Sequence, residues 1–184
     1  SENNLTIITI DGQITATAAH NLTGLTIIGK NPLATITLSG ATTTSSTFED
    51  IKITGTCLGR CNLNRGSILT NLYDFSGVMT GVHIKGTITP VVDANGVTLV
   101  GCYGYGKSVI DYQGISQPIF IRDYWSKLTI RNHTATSTSG LAFSTGSLAV
   151  ENTCTAGTFN VGGIVRITDA STGTCVVDQN ATVS

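Results

Sequence analysis

Residues 96–108 read GVTLVGCYGYGKS, and the fold turns on the residues beyond the glycine that closes VTLV. Val97–Val100 alternate as a strand does, with every second side chain apolar and directed to one face. The next eight residues, Gly101 to Ser108, fit the phosphate-binding pattern G-x-x-x-x-G-K-[ST] at every position. A phosphate loop works through context: a helix begins directly behind it and aims its positive end at the phosphates. Here Lys107 and Ser108 run into VIDYQGISQPIFIRD, where Val109 and Ile110 are β-branched. Gly114 then breaks a helix and Pro118 bars one beyond it. The chain also lacks the βαβ alternation of a nucleotide-binding fold. The stretch is read as a glycine-rich corner between two strands, and no nucleotide is expected.

The same form, apolar–any–apolar–any and then a turn residue, recurs along the chain. LTIIGK starts at Leu25, ITLSG at Ile36, IKITGT at Ile51 and VHIKGT at Val82. VTLVGC starts at Val97, LTIRNH at Leu128, LAVENT at Leu148 and VRITDA at Val165. Several starts lie 15 to 20 residues apart, as Ile36 to Ile51 and Leu128 to Leu148 do, and two gaps are near twice that. A coil of parallel β-solenoid takes about this much chain, and such units bury an apolar face only by stacking. No window shows a helical apolar stripe. The expectation is a single all-β domain over residues 1–184, folded as a parallel solenoid. An antiparallel sandwich or jelly roll is the alternative. Clear two-residue hairpin turns are few, DANG at 93–96 being the best.

NLTGLTIIGK (21–30), GVHIKGT (81–87), GVTLVGC (96–102) and KLTIRN (127–132) resemble the rungs of right-handed parallel β-helix proteins. That group includes pectate-lyase-like proteins and the tailspikes, fibres and head-decorating spikes of bacteriophages. The resemblance implies a right-handed β-helix, and with the phage members a trimer.

Composition narrows the function. Charged residues make up 11% of the 184, against roughly 25% in an average soluble protein. Thr, Gly, Ser and Asn together supply about two-fifths of the chain, so surface polarity comes from hydroxyls and amides. A net charge of -1 excludes the basic footprint of a general nucleic-acid binder. No apolar run approaches the roughly 18 residues of a membrane span. SENNLTIITIDG lacks the basic start and apolar core of a secretory signal; the expectation is a nearly complete chain made in a cytoplasm, with a cut domain as the alternative.

Candidate chemistry is sparse. Cys57, Cys61, Cys102, Cys154 and Cys175 are odd in number and scattered, with one close pair and no His nearby in sequence, so no metal is expected. Asp111 and Asp123 are the best carboxylate pair for glycoside cleavage, each followed by a tyrosine; as turn acids they would merely close strands. Glu49 and Asp50 read as a loop before IKIT. The strongest local signal is aromatic: Tyr103, Tyr105, Tyr112, Phe120, Tyr124 and Trp125 fall close together. Such rings form a subunit interface, a platform for a ligand, or an apolar plug of the fold.

The resulting expectation is a bacteriophage virion structural protein: a homotrimeric β-helical spike or capsid-decorating protein, made in the host cytoplasm and resident on the particle. Its partners would be itself, other virion proteins and a host-surface glycan, with no cofactor. A carbohydrate-active enzyme (polysaccharide lyase or glycoside hydrolase) and a cell-surface adhesin module are the alternatives.

Overall fold

The computed structural model describes residues 6–93, 96–104 and 108–113 together with the strands beyond them, whose side chains are described only at Ile121, Leu128 and Thr129. The protein is a parallel β-solenoid built from two long sheets. Each coil of chain gives one strand to each sheet. The first sheet stacks Ile7–Ile10, Thr26–Gly29, Thr47–Glu49, Cys61–Leu63, Gly77–Thr80 and Val97–Val100 in that order. It continues through Ile119–Arg122, Leu141–Phe143, Thr155–Val161 and Thr172–Val177. The second begins Gln13–Thr17, Thr35–Thr42, Lys52–Leu58, Ile68–Phe75, Thr87–Pro90 and Ser108–Asp111. Lys127–Arg131, Ser147–Glu151, Ile164–Ile167 and Thr182–Val183 complete it, and the short His83–Ile84 pairs beside Ile68–Phe75.

Among the described residues every strand pairing is parallel, which excludes the antiparallel sandwich. The DANG turn is accordingly no hairpin. Asp93 O accepts the N–H of Gly96 at 2.8 Å, but the strands on either side of the turn belong to different sheets.

Register explains the core. In the first sheet Ile8, Ile27, Phe48, Leu63, Met79, Leu99 and Ile121 stand opposite one another in successive strands. Phe143, Val161 and Val177 extend the same register line. From Ile27 to Ile121 these side chains are buried at 0 or 1% exposure, each closing the interior above and below the next. A second ladder, Ile14, Ile36, Ile53, Leu69 and Ile84, runs through the other sheet. Outward positions carry Thr26, Thr47 and Asn62 in one line and Thr37 and Thr54 in another, which combines β-propensity with solubility.

Rung length varies from 15 residues (Thr47 to Asn62) to 22 (Val97 to Ile119). The gaps from Leu128 to Leu148 and from Leu148 to Val165 are true rungs and that from Ile36 to Ile51 falls two residues short of one, whereas Leu25 to Ile36 and Val82 to Val97 cross between sheets. The gap from Ile51 to Val82 skips the strand Ile68–Phe75.

Buried hydroxyls tie the rungs together. Ser67 donates to Phe48 O at 3.2 Å, Ser108 to Ile84 O at 2.8 Å and Thr43 to Gly59 O at 3.2 Å. Each is a small donor at a corner that satisfies a carbonyl of a neighbouring coil. This is one physical reason for so much Ser and Thr.

Candidate functional site

The described residues of GCYGYGKS, 101–104 and 108, turn a corner that leads into a strand. Gly101 takes φ 59° at the end of Val97–Val100, and Cys102 turns inward to 0% exposure. Ser108 opens a strand, is 1% exposed, and gives its hydroxyl to a backbone carbonyl of the coil before. Lys107 and Tyr105 lie outside the described residues.

Of the aromatic group, Tyr112 is wholly buried and belongs to the interior. Tyr103 is half-buried and stacks on His83, ring centroids 4.7 Å apart and planes at 21°. Burial, then the charge of Lys85, lowers the pKa of His83. Phe120 falls in Ile119–Arg122 opposite Thr98 and Ala142, with its side chain outside the described residues, as are Tyr124 and Trp125. Asp111 accepts the N–H of Gln113 at 3.1 Å, an ordinary turn contact, while Asp123 lies outside the described residues.

Cys57 and Cys61 face each other with sulfurs 3.8 Å apart, both buried. The hydrogen bond to Cys61, then burial, holds the Cys57 thiol well above its usual pKa. Burial pushes Cys102 up to about 11. Among the described residues no group of three or more His, Cys, Asp or Glu is placed to hold a metal ion. Cys154 and the side chain of Cys175 lie outside them.

The candidate site is instead a corner that the sequence presented as a plain loop. It lies where the first sheet hands over to the second. One coil makes the change through the five residues 30–34, and the next does so through residues 50–51 alone. The long turn overhangs the short one and leaves a cleft of about 390 Å³ lined by Lys30, Asn31, Pro32, Asp50, Lys52 and Ile68. On the far side of Asp50 a second cleft of about 420 Å³ is lined by Glu49, Asn64, Arg65 and Thr80.

Asp50 is the shared wall. It sits at φ 50°, a conformation Asp tolerates better than most residues. Its neighbours make room: a Cβ on Gly29 would collide with its carbonyl oxygen, and one on Gly66 with its carboxylate. The rim is held by local bonds. Lys30 pairs with Asp11 at 3.2 Å, Asn31 bonds the backbone of Asp11 at 2.8 Å, and Asn64 donates to Glu49 at 2.8 Å. By contrast the side-chain charges of Asp50, Lys52 and Arg65 make no ion pair or hydrogen bond with another described residue. The corner thus offers one carboxylate and two cations to solvent, in a chain otherwise poor in charge.

No family model matches the chain, and no curated protein or solved structure matches it.

Proposed function

We propose that this chain is a structural protein of a bacteriophage particle, a trimeric spike or capsid-decorating protein wound as a right-handed β-helix. The observation that carries the reading is the apolar ladder, which runs without a polar interruption from Ile8 to Ile121 and keeps its register line to Val177. A column in which every rung supports the next is a rod, suited to bearing load and presenting surfaces. Its outward lines of Thr and Asn and its low charge fit a part that lies against other particle proteins.

Three copies packed about an axis would cover one another's outer sheet faces and corners. Tyr103, Tyr105, Phe120, Tyr124 and Trp125 remain the segment proposed for that interface, without the internal Tyr112. The direct test is immunogold electron microscopy with antibodies raised against the chain. Intact virus particles carry the label if the reading holds. Label confined to the walls of uninfected cells means an adhesin instead.

A second reading, a polysaccharide-cleaving enzyme, draws on the neighbouring carboxylates Glu49 and Asp50 in the corner. It requires one of them to act on a glycosidic bond or a sugar's acidic carbon. New reducing ends or unsaturated products that vanish in Asp50→Asn would establish it.

A further inference from the structure

We infer that Cys57 and Cys61 are a disulfide-forming pair, a covalent clasp across a corner where the second sheet hands over to the first. They lie at the facing ends of the strands Lys52–Leu58 and Cys61–Leu63, with only Gly59 and Arg60 between those strands. Both thiols are free and both side chains are buried, at 1 and 0% exposure, with their sulfurs 3.8 Å apart. A disulfide is about 2.0 Å long, so each sulfur has roughly 0.9 Å to travel, which side-chain torsions cover with the backbone in place.

The backbone keeps the two sulfurs together. The N–H of Thr43 donates to Leu58 O at 2.9 Å, that of Ser45 to Arg60 O at 2.6 Å, and that of Cys61 to Ser76 O at 3.0 Å. The Thr43 hydroxyl donates to Gly59 O at 3.2 Å. Gly59 has φ 109°, and a Cβ on it would run into the Thr44 side chain. The corner is thus bonded to the coil before it and to the coil after it, and its ends cannot splay while the fold is intact. A cysteine that merely fills a core has no need to face another. Here each sulfur is the other's hydrogen-bond partner.

The buried setting favours bridging over ionisation. The hydrogen bond to Cys61, then burial, disfavours a Cys57 thiolate. A disulfide removes both protons and leaves no charge in the core, whereas a metal would need charged thiolates, and among the described residues no third His, Cys, Asp or Glu completes a site. In the step both S–H bonds break and one S–S bond forms. Two electrons and two protons pass to a small disulfide such as oxidised glutathione, which leaves as two thiols. Cys102 takes no part, since its thiol is engaged by Met79 O at 3.3 Å. In a particle protein the pair would stay reduced in the cytoplasm and close after release; that timing rests on the reading above, and the bond itself does not.

The test is a non-reducing peptide map of the whole folded chain after incubation with oxidised glutathione. Trypsin cuts after Lys52, Arg60 and Arg65, so the clasp joins residues 53–60 to residues 61–65 in one species that a reductant splits. That species should dominate, with Cys102 recovered as a free thiol. Closing so short a loop should raise the melting temperature by roughly 4–8 °C, and a reductant should reverse the rise. Cys61→Ala should give neither the linked species nor the rise. The inference is overturned if the two peptides are recovered unlinked, if the link forms only in urea, or if the linked chain melts no higher than the reduced one. A linked species from a chain that the antibodies find on no virus particle keeps the clasp and removes the particle.

Discussion

Gly55 stands opposite Leu38 in one neighbouring strand and Leu72 in the other, with φ 107°. A Cβ there would run into the carbonyl oxygen of Leu38, and the backbone conformation is one that side chains rarely adopt. The register slips between Ile53 and Gly55, so this residue is where the strand bends to keep the ladder aligned. Gly55→Ala should therefore cost about 2 kcal/mol or more in urea unfolding. Gly12→Ala, with nothing within 4 Å of the added methyl and an ordinary φ, should change stability by less than about 0.5 kcal/mol. Equal effects of the two would remove the steric account.

Cys102 offers a second test at this scale. Its thiol is buried, donates to Met79 O at 3.3 Å, and has its pKa raised from 9.0 to about 11. An acid whose folded pKa lies above its unfolded one stabilises the fold fully below the unfolded value and loses that contribution as pH rises. Stability should hold level up to about pH 9 and decline between there and about 11. Cys102→Ala should show a shallower decline over that window in urea titrations. A decline of unchanged steepness would mean that the thiol does not carry it.

At the scale of elements, Phe48 fills the ladder between Ile27 and Leu63 and is 0% exposed. Removing its ring leaves a void bounded by strands that pair on both sides and relax little. Phe48→Ala should cost about 3–5 kcal/mol. A loss below about 1 kcal/mol would mean that the coils do not stack as described.

Most strands were legible because alternation and a closing Gly or Asn are local signals; VTLV and ITLS announce themselves. The strand Ile68–Phe75 was not. Its buried residues Leu69, Leu72 and Phe75 are spaced by three because bulges interrupt the pleat, so the alternation that marks its neighbours is missing. The corner was hidden for a different reason. The loop read at Glu49–Asp50 holds for Asp50 only, since Glu49 closes the strand Thr47–Glu49, and the cleft arises from a five-residue turn stacked over a two-residue one. That depends on which coils lie side by side, a relation no local pattern carries. Tyr112 shows the converse: an aromatic cluster in sequence says nothing about which ring points inward.

For the whole molecule, stability rests on stacking and on hydroxyl and backbone bonds between coils. Two ion pairs occur among the described residues, Lys30–Asp11 and Arg60–Asp93, and the first has both side chains about two-thirds exposed. Exposed pairs contribute little and are screened by salt, whereas apolar burial is not. The melting temperature should shift by only a few degrees between dilute buffer and molar sodium chloride. A steep fall would show that charge holds the fold.

The proposed trimer is the central claim at this scale, since its subunits would unfold and separate together. Light scattering coupled to size exclusion measures it directly. The account predicts a species of three times the 19.1 kDa chain mass that persists on dilution and survives heating beyond the melting range of ordinary small domains. A single 19.1 kDa species at all concentrations would contradict it.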